Sequence, residues 1–207
     1  MVVSESDHTH YVVARERMHP RWPTHACPAE FWEELGRTIA KFGFLEDCLK
    51  RANLAITATR KYKSLEEATR AYETWQRSLE KSLDESLGEL SNRLVEALTE
   101  DDRFHEESVS ELNAKLRRVA DWRNALCHGA WTDYDEKSRK ATLRHWPRKG
   151  WREQSEQPIS QADLAAIGED AVDLTCRVIE AATANGIQFP GSEGPGEPAW
   201  PSQPEKP

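Results

Sequence analysis

Long stretches of this chain repeat apolar residues every third or fourth position, and shorter stretches do not. Phe31, Trp32, Leu35, Ile39, Phe42, Leu45, Leu49, Ala52 and Ile56 form one such stripe. Their spacing predicts a helix starting near Pro28, a residue suited to a first turn. Gly36 and Gly43 interrupt this helix. They cost helix propensity and are expected to let another helix approach closely. The second stripe is the longest: Leu65, Ala68, Tyr72, Trp75, Leu79, Leu83, Leu87, Leu90, Leu94 and Leu98. Ser64, with Glu67 three residues on, reads as its cap. The pattern predicts one long helix or two with a bend near Gly88, and it also suits a coiled-coil seam. The run from Thr99 to Arg103 is a polar break. A third stripe, Val109, Leu112, Leu116, Val119 and Leu126, predicts a helix over roughly Glu106 to His128, with Gly129 as terminator. The last helix opens at Ser160 with Asp163 in a capping-box position. It carries Leu164, Ile167, Ala171, Leu174, Val178 and Ala182, and it ends at Asn185-Gly186.

Residues 130–159 read differently. Trp131, Tyr134, Trp146 and Trp151 stud a basic segment, and the run from Ala141 to Trp146 alternates with period two. That alternation predicts a short strand or hairpin. The elements together predict an all-α fold: an up-and-down bundle of four to five helices with a short hairpin-like insertion before the last helix. Residues 28–187 form the domain in this reading. Residues 1–27, polar and carrying Pro20 and Pro23, are expected to be a flexible arm. Residues 188–207, rich in Pro and Gly, are expected to be a disordered tail.

Composition narrows the classes. Of 207 residues, 38% are hydrophobic and 31% charged, which suits helices with wide solvated faces. No apolar run approaches the roughly 18 residues that a membrane span needs. The start, MVVSESDHTHYVV, lacks the basic and apolar regions of a signal peptide. A cytoplasmic protein without membrane contact is therefore expected. Cys27, Cys48, Cys127 and Cys176 form no CxxC pair. Reduced thiols are expected, rather than a disulfide framework or a zinc site. His8, His10, His19 and His25 share the arm with Cys27 but repeat no ligand spacing. No Gly-rich phosphate loop occurs, and no metal or cofactor is expected.

The net charge of −8 argues against a polyanion partner, but its distribution argues the other way. From Lys115 to Arg152 there are eleven Lys/Arg and four Asp/Glu, a balance of +7 that leaves −15 on the remainder. Such a segment suits a local polyanion site, or else a solvated face with no ligand.

The sharpest signal is Arg123-Asn124-Ala125-Leu126-Cys127-His128-Gly129, followed by Trp131. An Arg, a polar residue after it, and a His five positions on end a predicted amphipathic helix. A second pair, Arg139 and His145, has one more intervening residue and no Asn after the Arg. The 123–129 segment resembles the Arg-x4-His motif of the HEPN family (higher eukaryotes and prokaryotes nucleotide-binding), and the bundle over 28–187 fits that resemblance. The resemblance implies a helical domain that dimerises to place two motifs across one cleft. In catalytic members it implies metal-independent cleavage of RNA.

The residue types suit that chemistry. An imidazole can take a proton from a ribose 2′-hydroxyl near neutral pH. A guanidinium can hold the scissile phosphate by two hydrogen bonds and stabilise developing charge. Asn124 and His128 lie about 40° apart on an ideal helix, whereas Arg123 lies about 140° from His128 and needs its long side chain to reach the same cleft. Arg123, Asn124 and His128 are the candidate catalytic residues. Both terminal cations would also interact favourably with the helix dipole without any catalytic role. Glu46 and Asp47, late on the first helix, are candidates to orient His128 or pair with Arg123; the alternative is an exposed carboxylate. Lys115, Arg118, Arg144 and Trp131 are candidate RNA contacts, although Trp131 better suits core packing or a dimer contact. The expected partners are RNA, a second copy of the chain, and an antitoxin or regulatory protein. The competing reading is a catalytically silent module that binds RNA or a protein.

Overall fold

The computed structural model describes residues 14–60, 64–82, 84–146 and 155–187, with backbone alone over 74–82. The first stripe forms α1 (Ala29–Ala58), with Pro28 as N-cap. Phe31, Leu35, Phe42, Leu45, Leu49, Ala52 and Ile56 are buried, while Ile39 is exposed. The second stripe splits into α2 (Leu65–Ser82) and α3 (Leu87–Thr99). The third and last stripes form α4 (Glu106–His128) and α5 (Gln161–Ala184). Helix α1 is the axis of the domain. It packs most extensively along α5 and also against α3 and α4, and α3 packs on α4. Each fully buried Leu or Phe contributes about 1.5–3 kcal/mol of transfer free energy. Leu45, Leu49, Leu90, Leu94, Leu116 and Leu164 are all in that class. Two buried polar groups register the helices. Thr38 Oγ1 donates to the Leu164 carbonyl at 3.0 Å, and Asn53 Nδ2 donates to the Leu90 carbonyl at 3.2 Å.

The close helix approach expected at Gly36 and Gly43 occurs elsewhere. Nothing lies within 4 Å of where a Cβ would stand on either. At Gly168 of α5, by contrast, a Cβ would meet Lys41 Cδ at 3.0 Å and Thr38 Oγ1 at 3.3 Å. The long stripe is two helices, and the break falls just before Gly88. Gly88 lies in the first turn of α3, and the helix begins at a full capping box in which Ser86 and Glu89 satisfy each other's backbone N–H groups. Beyond the break the stripe serves a different environment. Leu87, Leu90, Leu94 and Leu98 are buried, whereas Leu65 is 84% exposed and Tyr72 is 57% exposed. The stripe is therefore not one continuous seam.

The all-α expectation is corrected by a three-stranded antiparallel sheet of order β1-β2-β3. Its strands are β1 (Ala130–Asp135), β2 (Lys140–His145) and β3 (Ser155–Ser160). The alternation at 141–146 foretold β2. It did not foretell β3, whose residues Ser-Glu-Gln-Pro-Ile-Ser are poor strand formers. Their extension comes from pairing with β2 in unbroken register, from Lys140↔Ser160 to His145↔Ser155. Pro158 is tolerated because β3 is an edge strand. The sheet is part of the core rather than an appended hairpin, since Ala141, Leu143 and Ile159 are buried in the cluster that α1 and α5 build.

Two further ties position the site. Trp131 of β1 meets Phe31 edge-on at 5.1 Å and Trp32 at 6.3 Å, which fastens the sheet to α1. Trp32 Nε1 donates to the Thr24 carbonyl at 2.8 Å, and Cys27 is buried in the core. The polar break after α3 is a clamp. Arg103 grips buried Asp101 through Nε at 2.9 Å and Nη2 at 2.6 Å. It also donates to the Ile56 carbonyl and Thr59 Oγ1 at the end of α1. Residues 1–13, 61–63, 83, 147–154 and 188–207 lie outside the described residues, and with them Leu83, Arg148, Lys149, Trp151 and Arg152.

Candidate functional site: Arg123, His128 and Glu46

The apolar stripe of α4 fixes where its polar residues go. Leu116, Val119, Ala125 and Leu126 are buried, which turns Arg123 and Asn124 to half-buried positions and leaves Cys127 and His128 exposed. The chain then leaves the helix at Gly129, whose N–H donates to the Ala125 carbonyl at 2.9 Å. The backbone there is extended (φ −79°), not left-handed. Glycine is required for space instead. A Cβ would stand 2.5 Å from the Ala125 carbonyl oxygen and from Leu143 Cδ1, and 3.0 Å from the Arg144 carbonyl oxygen. Strand β2 thus presses against the helix end immediately beside His128.

Arg123 and His128 meet. Arg123 Nη1 lies 3.4 Å from His128 Nε2, although α4 stays helical through His128, so the long guanidinium arm makes up the angular offset. Arg123 Nε donates to Glu46 Oε1 at 3.1 Å, and both side chains of this ion pair are largely shielded. Guanidinium nitrogens only donate. A hydrogen bond between the two therefore runs from Arg123 Nη1 to His128 Nε2. Glu46 holds one side of the guanidinium and His128 flanks the other. The arrangement offers an exposed imidazole, a positioned cation and a carboxylate that fixes the cation.

The structure separates the other candidates. Asp47 turns away from the cluster and pairs with Arg51 at 2.8 Å along α1. Asn124 is near the cluster in sequence, but its side chain makes no hydrogen bond among the described residues. The Arg139–His145 pair is split, since Arg139 precedes β2 and His145 ends it. Six strand residues separate them by roughly 20 Å. Lys115 pairs with Glu111 at 3.3 Å and reaches Asp173 at 4.0 Å. Arg118 pairs with Asp170 at 2.9 Å, and Arg144 with Glu156 at 2.8 Å. Trp131 is half-buried in the aromatic cluster of α1. The basic face of α4 is thus matched by an acidic face of α5, a pairing that only the packing of the two helices reveals. The sequence signal for it is the spacing of Asp170 and Asp173 on one side of the last helix. Although Cys127 is exposed overall, desolvation of its sulfur by the neighbouring packing pushes the thiol up, against a smaller downward pull from Arg123. The thiol is therefore no ready nucleophile near neutral pH. No group of three His, Cys, Asp or Glu side chains among the described residues could hold a metal ion.

Comparisons with protein-family models, with curated proteins and with solved structures find no match for this chain. Among the described residues no helix is long and apolar enough to cross a membrane.

Proposed function

We propose that the chain is a metal-independent endoribonuclease of HEPN type, acting as a homodimer in a bacterial defence or toxin role under the control of an antitoxin or regulatory protein. The observation that carries this reading is the meeting of Arg123 and His128 at 3.4 Å, with Glu46 bound to the far side of the guanidinium. In the proposed reaction the imidazole of His128 takes the proton from a ribose 2′-hydroxyl. The 2′-oxygen then attacks the adjacent phosphorus. Arg123 stabilises the charge that gathers on the phosphoryl oxygens. The 5′-oxygen leaves and takes a proton from the imidazolium of the second copy's equivalent histidine. The products are a 2′,3′-cyclic phosphate and a 5′-hydroxyl. Asn124, close in sequence and half-buried, is proposed to contact the phosphate once RNA is bound.

A second reading is a dimeric module that binds RNA or a protein without cleaving. One observation favours its protein-binding form: Lys115, Arg118 and Arg144 each have an acidic partner within the chain, which weakens them as phosphate contacts. The test is incubation of a mixed RNA pool in EDTA with the wild type and with His128→Ala, with circular dichroism as the check on folding. Cyclic-phosphate ends that vanish in the folded variant support the nuclease. Retention of RNA without cleavage by either protein supports the module.

A further inference from the structure

The tryptophans of this chain have divided roles. Trp32, Trp122 and Trp131 are half-buried and pack against the core. Trp146 is 61% exposed, and its indole makes no ring contact among the described residues. Trp22 is exposed to a similar degree but lies in the segment before α1. Trp146 instead follows directly on β2, whose last residue, His145, is paired with Ser155. A hydrogen-bonded ladder therefore holds the chain up to the residue before it.

The same strand brings Trp146 to the Arg123 cluster. Ala130↔Arg144 is the β1–β2 pair nearest the end of α4. His128 and Trp146 each lie two residues beyond that pair. The Arg144 carbonyl oxygen stands 3.0 Å from where a Gly129 Cβ would be. Following the two chains from that contact puts the Cα atoms of His128 and Trp146 within about 15 Å of each other. Two exposed rings, an imidazole and an indole, thus stand at one end of α4. The cations of this region are already engaged: Arg144 with Glu156, Lys115 with Glu111 and Arg118 with Asp170. Attraction to phosphates is correspondingly weak, and affinity for RNA needs a source other than charge. An aromatic face supplies one, because every base has a π-face to lay on it.

We infer that Trp146 is the base-stacking platform of the cleavage site, and that the substrate is unpaired RNA. The inference rests on the ribonuclease reading for its choice of ligand. A base next to the scissile bond lies on the indole, which holds the neighbouring 2′-hydroxyl near His128. Duplex RNA keeps that base in its own stack and so cannot use the platform.

The test compares the wild type with Trp146→Ala, Trp146→Phe and Trp22→Ala in EDTA. The substrates are a single-stranded RNA of mixed sequence and the same strand annealed to its complement. A 2′-O-methyl form of the strand, which cannot be cleaved, reads binding alone by fluorescence anisotropy. Trp146 is exposed, so its variants are expected to fold, as circular dichroism checks. In Trp146→Ala, KM and Kd are expected to rise about tenfold while kcat stays within about twofold. Trp146→Phe should recover most of the loss, Trp22→Ala should match the wild type, and the duplex should be a poor substrate. If the wild type cleaves and Trp146→Ala has the same KM, the inference fails and the ribonuclease reading stands. If the methylated strand binds through Trp146 and no RNA is cleaved, the platform stands and the ribonuclease reading fails. Neither binding nor cleavage by the wild type overturns both. Equal cleavage of duplex and single strand overturns the inference, and so does conversion of Trp146→Ala to a monomer in sedimentation, which would make the indole a contact between copies.

Discussion

Two arginine–carboxylate pairs in this molecule have the same chemistry and different surroundings. Arg103 grips Asp101, which is 6% exposed, with two nitrogens, and further donors go to the Ile56 carbonyl and Thr59 Oγ1. Four of its five N–H donors are engaged within the fold. Arg123 makes one bond to Glu46 and one long contact to an exposed imidazole. It keeps donors available for something that arrives from solvent. Burial and carbonyl partners make the first pair a clamp between α1 and the loop before α4. The open side of the second makes it a candidate for chemistry. An arginine is informative about function in proportion to the donors that the fold leaves unused.

The comparison can be broken most sharply at His128. His128→Ala is expected to lower RNA cleavage by about 10²–10⁴-fold, the range for a general base, while the melting temperature moves little because the residue is exposed. Asp101→Asn is expected to do the reverse. It should cost about 2–3 kcal/mol of stability, since a buried charged hydrogen-bond partner is lost, and a urea midpoint reads this directly. The same pair has a pH signature. Its hydrogen bonds to Arg103 hold the Asp101 carboxyl below its usual 3.8. A depressed carboxylate stabilises the fold fully above the unfolded value and loses that contribution as pH falls through the folded one. Wild type should therefore lose stability relative to Asp101→Asn on acidification below about pH 4, and the gap between the two should close.

Gly129→Ala tests whether the sheet sets the position of His128. The added methyl would collide with two backbone carbonyls and Leu143, and overpacking of this kind costs about 1–3 kcal/mol. Both stability and cleavage are expected to fall, and loss of only one would separate the strand contact from the site. The smallest effect is expected at Glu46→Gln, which keeps the shape but weakens the grip on Arg123. Cleavage should drop about tenfold, and rescue by Glu46→Asp would not be expected, since the shorter side chain cannot reach Nε. Unchanged cleavage in Glu46→Gln would leave that ion pair a purely structural contact.

The helices were legible because each buries one face. Phe31 to Ile56, Val109 to Leu126 and Leu164 to Ala182 carry their own periodicity, and α1, α4 and α5 follow it. The Arg123–His128 pair was legible because its residues share one helix, where spacing fixes distance. Strand β3 was not legible, since nothing in Ser155–Ser160 favours extension without β2 beside it. The split of the Leu65–Leu98 stripe was one of two readings the pattern left open, and the Ser86–Glu89 box that decides it was present to be read.

The sequence by itself determined what local rules govern: helix faces, the capping boxes, and the side chains that α4 presents at its C-terminal end. Only the tertiary structure decided that Glu46 rather than Asp47 reaches Arg123, that α5 supplies the acids opposite Lys115 and Arg118, and that Gly129 and Gly168 are the glycines where another element comes close. The reason is physical. Periodicity fixes where a side chain points relative to its own helix, whereas a contact between elements depends on their rotation and register, which the whole core sets at once.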